Sequence, residues 1–371
     1  MIPYILLMFV PLLFSFIMVT KSNGKYSLAL GGNHKVLNNS CMIPVFFIIL
    51  FIVLSLRGEE VGKDLPNYKY YFESISTLDF NELFQYELDI LYVVLNWIVS
   101  RFTDNFQVLL SVVAAITVLP VAVLYSQDRE HGFLKLVLFM NMSTFVMMFS
   151  GLRQSIAIAM AIVAYEFVKR KQLGKFLLFA VILLGFHHTA FMVFLYYPLY
   201  HVTFKKKHLL FIVPILLLIF AFNKPIFTTA ANVLSFFFNE KYSVVVGSTG
   251  AYTMLILFAG FAILSYVIPD EKNMDEETLG LRNFMLLAVV LQCFAPVHML
   301  AMRMNYYFII FIPVLIPKVL KNSKIMSYES VLFLKGALIA FFVGYYLVTT
   351  YVSCKTGVSA LDTYPYVPFW K

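Results

Sequence analysis

Long apolar stretches alternate with short polar ones from the first residues to Tyr351. A membrane-crossing helix needs about 20 apolar residues, fewer where it is short or sheltered by neighbours. On that rule the pattern predicts spans near 2-19, 42-56, 106-126, 133-150, 152-169, 175-186, 188-203, 209-222, 250-268, 283-300, 303-318 and 331-351. The run "LDILYVVLNWIVSRF", from Leu88 to Phe102, is apolar for only about three turns and reads as an interfacial or re-entrant helix. The pieces flanking His187 and His188 are short as well, which predicts a broken hairpin sheltered by protein or a water-filled cavity. The expected fold is therefore an all-α polytopic integral membrane protein of about twelve transmembrane helices plus the interfacial or re-entrant helix. It forms one transmembrane domain over residues 1-371, with outer loops at 57-105 and 223-249 and an outer tail at 352-371.

Composition agrees: 61% of the residues are hydrophobic and 13% charged, against roughly 25% charged in soluble domains. The formal charge of +8 sits mostly in short loops between spans, so it sets orientation and does not imply nucleic acid. Placing "KSNGK", "VKRKQLGK", "FKKKH" and "KVLKNSK" in the cytoplasm puts both termini outside. The first segment lacks a basic start and a small-residue cleavage site, and reads as a retained span. Cys41, Cys293 and Cys354 lie far apart and signal neither a disulfide framework nor zinc.

Ionisable groups at membrane depth are costly and so mark candidate sites. Arg57, Asp64, Arg153, His187, His188 and Arg303 all map to the outer leaflet of this topology, which predicts a polar outer pocket. In "LRGEEVGKDLPNYKYYFE", Arg57 closes the second span, Asp64 offers a carboxylate suited to general-base work, and Tyr68, Tyr70 and Tyr71 offer rings for a sugar. Glu59, Glu60, Glu73, Glu87 and Asp89 compete for the base role. In "SGLRQSIAIAMAIVAYEF", Arg153 stands with Gln154 at a helix N-terminus, where the macrodipole opposes a cation. An anion shared between the guanidinium and the exposed N-H groups resolves that opposition.

In "LLGFHHTAFMVFLYYPLY", adjacent helical residues point about 100° apart, so one histidine, His187, is expected to face the pocket, as donor to a pyrophosphate oxygen or proton relay. "PVHMLAMRMNYYFIIFIPVL" adds Arg303 with Asn305, Tyr306 and Tyr307. Each group also has a plainer reading: a snorkelling arginine, a solvated aspartate or a satisfied core histidine. No GxxxxGK[ST], GxGxxG, HExxH or paired-aspartate motif occurs, so nucleotide hydrolysis, dinucleotide redox chemistry and zinc hydrolysis are unsupported, and neither a cofactor nor a metal is expected. The acidic "PDEKNMDEETLGLR" reads as a solvated loop.

Taken in order, these motifs resemble the EpsG family, whose members are Wzy-like bacterial polysaccharide polymerases. "RGEEVGKDLPNY" resembles the family's R-G-x-x-V-G-x-D-x-x-x-Y signature, with Lys63 in place of the usual threonine. "GLRQSIAIAMAI", "FHHTAF" and "RMNYYF" follow in the same order, and "TYPY" around Tyr364 looks like the family's C-terminal Pro-Tyr. The resemblance implies a GT-C/Wzy-like membrane protein that transfers a polyprenyl-pyrophosphate-linked glycan onto a lipid-linked repeat unit. That transfer would occur on the outer face of the bacterial cytoplasmic membrane, without metal, in capsular, O-antigen or exopolysaccharide synthesis. Arg57, Arg153 and Arg303 would hold the pyrophosphate, and Asp64 or His187 would deprotonate the acceptor hydroxyl. Gln154, His188, Tyr68, Tyr306 and Tyr364 would make weaker glycan contacts. Membrane lipid and other polysaccharide-assembly proteins are the further partners implied. A flippase or transporter would need polar groups through both leaflets and internal repeats, which the chain does not display. A glycan ligase shares the donor chemistry.

Overall fold

The computed structural model describes residues 1-14, 17-22, 25-30, 41-127, 131-238, 250-323 and 326-371. They form two compact units, Met1–Val193 with Leu332–Lys371, and Phe194–Val331. The first holds α1 (Ile2–Leu13), α2 (Met42–Ser55), α3 (Leu65–Ser76), α4 (Ile90–Ser100), α5 (Phe106–Gln127), α6 (Gly132–Met140), α7 (Ser143–Ser150), α8 (Leu152–Lys169) and α9 (Leu173–Leu184). The second holds α10 (Tyr196–His201), α11 (Leu209–Ala221), α12 (Asn223–Phe238), α13 (Gly250–Val267), α14 (Glu276–Phe294), α15 (Met299–Ile309) and α16 (Ile312–Lys321). Most of α17 (Tyr328–Thr356) belongs to the first unit. Among the described residues the elements are helical apart from one antiparallel hairpin, β1 (Ile17–Ser22) and β2 (Lys25–Leu30), in register from Ile17 with Leu30 to Ser22 with Lys25.

Among the described residues three helices, α5, α14 and α17, are long and apolar enough to cross a membrane, and up to six crossings result if each of three bent pairs is one span. The bends have local causes. Between α6 and α7, bent by 60°, Asn141 donates its side-chain amide to the Val137 carbonyl at 2.8 Å, competing with the backbone ladder. Pro225 and Pro313 each remove the N-H that would bond back one turn, and the chain bends by 80° between α11 and α12 and by 48° between α15 and α16. The predicted span 2-19 ends early: α1 stops at Leu13 and the β-branched Ile17, Val19 and Thr20 enter β1. The predicted outer loop 223-249 is helical from Asn223 to Phe238, and its remainder lies outside the described residues.

In the first unit, α8 is largely buried. Ala157, Ala159, Ala161 and Ala164 are fully buried, and such small side chains let neighbouring helices approach closely. In the second unit α14 is the central helix, with Thr278, Leu281, Arg282, Phe284 and Met285 all buried.

Candidate active site

The polar segment after α2 is not one long loop. Asp64 takes the N-cap position of α3, and Pro66 falls in the first turn, where a missing N-H costs nothing. Leu65, Tyr68, Phe72 and Ile75 then recur every three or four residues and are all buried, the stripe that makes an amphipathic helix. Leu65, Tyr68 and Phe72 pack with Tyr92 and Val99 of α4, Leu109, Leu110 and Val113 of α5, and Leu152 and Ile156 of α8. Burying a side chain the size of Phe72 contributes roughly 2–3 kcal/mol, so this contact fixes the first turn of α3 against the start of α8.

At that junction the charged groups converge. Asp64 N–H donates to Ser150 Oγ at 3.1 Å, and Ser150 Oγ donates back to Asp64 Oδ2 at 3.1 Å. Three residues on, Arg153 Nη1 lies 2.7 Å from Asp89 Oδ2, with the arginine side chain 26% exposed. The same guanidinium shares a hydrogen bond with the Tyr68 hydroxyl. Asp89 stands at the N-cap position of α4, but its carboxylate turns away from the helix and accepts the His188 backbone N–H. Burial pushes its carboxyl above the usual range, although Arg153 and His188 pull the other way.

The break after α9 brings the histidines to the same place. Leu91 N–H donates to the Gly185 carbonyl at 2.8 Å, and a Cβ on Gly185 would stand 2.6 Å from Leu91 Cγ, so only glycine permits this approach. His187 is 5% exposed, and its Nδ1 accepts the Thr189 backbone N–H at 3.2 Å. That bond fixes the neutral ring with its proton on Nε2, the donor tautomer for a group in front of it. Thr189 Oγ1 lies 3.1 Å from the same Nδ1 and accepts from Gln154 Nε2 at 3.3 Å, while the His187 and His188 rings stand 4.5 Å apart.

A family model for the EpsG family matches residues 40–367 of the 371. The chain belongs to the EpsG family. It is thus a membrane protein of a polysaccharide-polymerase-like family; no curated protein and no solved structure matches it.

Of the motifs that marked this EpsG chain, the ones carrying Asp64 and Tyr68, Arg153 and Gln154, and His187 and His188 meet in the first unit. Arg57 is elsewhere in that unit. It is 1% exposed, donates to the Leu54 carbonyl, lies 5.9 Å from the centre of the Phe149 ring and pairs with Pro368 as an isolated bridge. Burial lowers its pKa to about 10, with the Tyr366 and Tyr4 hydroxyls opposing the fall, so it stays charged at neutral pH. The Tyr364 ring lies 4.2 Å from that of Tyr4 at a tilt of 44°, and its hydroxyl accepts from Thr350 Oγ1 at 3.4 Å. Arg303 and Tyr306 belong to α15 of the second unit, where Asn305 ties α15 to α14 through Ala288 O at 3.0 Å and Gln292 Oε1 at 3.1 Å.

Three participants, Asp89, Ser150 and Thr189, do not stand out in the sequence. Asp89 was one of several competing acids; its place just before an apolar helical run was the available signal. Ser150 and Thr189 are small hydroxyls at helix breaks, and nothing in their spacing distinguishes them from caps.

Proposed function

We propose that this protein is a polymerase that transfers a polyprenyl-pyrophosphate-linked glycan onto a lipid-linked repeat unit at the outer face of the bacterial cytoplasmic membrane. The observation that carries the reading is Arg153: a partly exposed guanidinium at the buried start of α8, held by Asp89 and Tyr68 beside the His187 pair. A cation opposed by the helix dipole gains most when an anion joins it, and a diphosphate suits the planar donor fork. The basic loops favour the outward orientation. About twelve crossings in a GT-C/Wzy-like arrangement complete this reading.

In the step proposed, the acceptor hydroxyl attacks the anomeric carbon of the donor and passes its proton to Asp64. The bond from that carbon to the diphosphate oxygen breaks, and the leaving diphosphate takes the electron pair. Arg153 and His187 Nε2–H meet the charge as it develops, the kind of stabilisation that contributes most to such reactions. Ser150 occupies Asp64 Oδ2, which orients Oδ1 towards the incoming proton. The purified protein in vesicles, given a synthetic polyprenyl-diphosphate oligosaccharide, should build a ladder of longer glycans, with or without chelator. No ladder from the cognate substrate would overturn the reading, and translocation of the substrate without elongation would assign the protein to transport.

A further inference from the structure

We propose that the C-terminal segment Ala360–Lys371 is a strap that sets the Asp64 loop, and that Arg57 is the positioning residue anchoring it. The proposal rests on Asp64 as the base, and it gives Arg57 a part in the reaction without contact with the donor.

The loop between α2 and α3 has few backbone partners of its own. Gly58 N–H donates to Val367 O at 2.8 Å, Gly62 N–H to Asp362 O at 3.0 Å and Lys63 N–H to Leu361 O at 2.9 Å, while Phe369 N–H returns to Leu56 O at 3.0 Å. The two amides immediately before Asp64 are therefore held by the far end of the chain. Leu361 and Asp362 both adopt the left-handed conformation, with φ of 59° and 50°, an arrangement that persists only when surrounding structure imposes it. The strap is itself fastened: Tyr366 Oη donates to Val53 O at 3.0 Å, and the Tyr4 hydroxyl donates to the Thr363 carbonyl.

The other side of the loop has no room to move. Gly62 has φ of +134°, and a Cβ there would stand 2.1 Å from the Phe149 carbonyl oxygen, so the backbone at Gly62 lies directly on the end of α7. Ser150, the next residue, ties down Asp64. The loop is thus clamped between α7 and the tail. The Arg57 guanidinium fills the space inside that clamp, between Leu54 O and the Phe149 ring and near the Tyr366 and Tyr4 hydroxyls that fasten the tail, while its backbone pairs with Pro368; its 1% exposure leaves no surface for a diphosphate.

The test compares the full chain, a chain ending at Ser359, and the variants Arg57→Gln and Arg153→Gln. Amide hydrogen exchange should speed up about tenfold or more at Gly58, Gly62 and Lys63 in the truncated chain and in Arg57→Gln, with α8 unchanged. In elongation assays Arg57→Gln should lower kcat about tenfold with donor KM within about twofold, whereas Arg153→Gln should raise donor KM. Should the truncated chain fail to fold, Arg57→Gln decides. Unchanged exchange at those three amides, or a donor KM raised by Arg57→Gln as much as by Arg153→Gln, overturns the proposal. A wild type that builds no ladder removes the polymerase reading, while the exchange result still decides the strap.

Discussion

Arg153 in the first unit and Arg282 in the second each meet a carboxylate from a neighbouring segment, and there the likeness stops. Arg282 is 1% exposed, its Nη1 3.1 Å from Glu271 Oε1, its other arm on the Phe204 carbonyl and its guanidinium 4.0 Å from the Tyr266 ring centre. In the same unit Lys318 is held between Asp275 Oδ2 at 3.1 Å and Glu277 Oε2 at 2.6 Å. Arg153, by contrast, has a side chain 26% exposed and pairs with Asp89 at 2.7 Å. In the acidic segment 269-282, expected to be a solvated loop, Glu271, Asp275 and Glu277 instead pair with the buried Arg282 and with Lys318. An arginine paired with a carboxylate is thus fully buried at Arg282, where it holds two segments together, and partly open at Arg153.

The sharpest way to separate the two is substitution. Arg153→Ala should lower kcat/KM for elongation at least about a hundredfold, roughly 3 kcal/mol of transition-state stabilisation, with little loss of stability. Arg282→Ala should do the reverse: about 2–3 kcal/mol lost in denaturant unfolding, because one partner of a buried pair is removed, with elongation per folded molecule unchanged. Asp89→Asn removes the anion that competes for Arg153, so the affinity for a polyprenyl diphosphate should rise a few-fold while the elongation rate falls.

The smallest effect is a difference in pH response. Burial raises the Asp275 carboxyl, but the Thr278 and Lys318 contacts outweigh it and hold the group below its usual range. The folded chain then binds fewer protons there than the unfolded one, so this contribution is present above about pH 4 and is lost as pH falls. Asp89 slopes the other way, because a carboxyl raised by burial keeps its proton to higher pH when folded and costs stability as pH rises above about 4. Asp275→Asn keeps an oxygen that can accept the Thr278 N–H and so keeps the helix cap, but it removes the charge facing Lys318; it should flatten the acid limb of an unfolding titration at a cost of less than about 1 kcal/mol at neutral pH, while Asp89→Asn should tilt that limb upward.

Much of the frame was legible before any coordinates. The apolar runs of α5 and α17 are long enough to declare themselves, and the short run at Ile90–Ser100 is a helix, while α14 starts at Glu276, seven residues before the expected span 283-300. Helix α3 was hidden because Asp64-Leu65-Pro66, a usable start signal, sits among so many other charges. The expected spans 133-150 and 303-318 are bent where one amide or one missing N–H turns the chain, at Asn141 and Pro313, whereas 209-222 agrees with α11. In the site, Arg153 could be found because its position is locally unfavourable, a property of the sequence alone. Its partner could not: which acid reaches it depends on how α4 packs beside the break at Gly185. Arg57 was equally conspicuous, but its surroundings come from residues 361-369 at the other end of the chain, and no local pattern reveals a contact of that range.

The most direct measurement of the central claim is the affinity of a polyprenyl diphosphate for the wild type and Arg153→Gln in lipid nanodiscs, with Arg282→Ala as the comparison. Loss of affinity of about twentyfold or more in Arg153→Gln alone, roughly the contribution of one charge-assisted contact, is the expected result. Equal affinity in the wild type and Arg153→Gln would contradict the account.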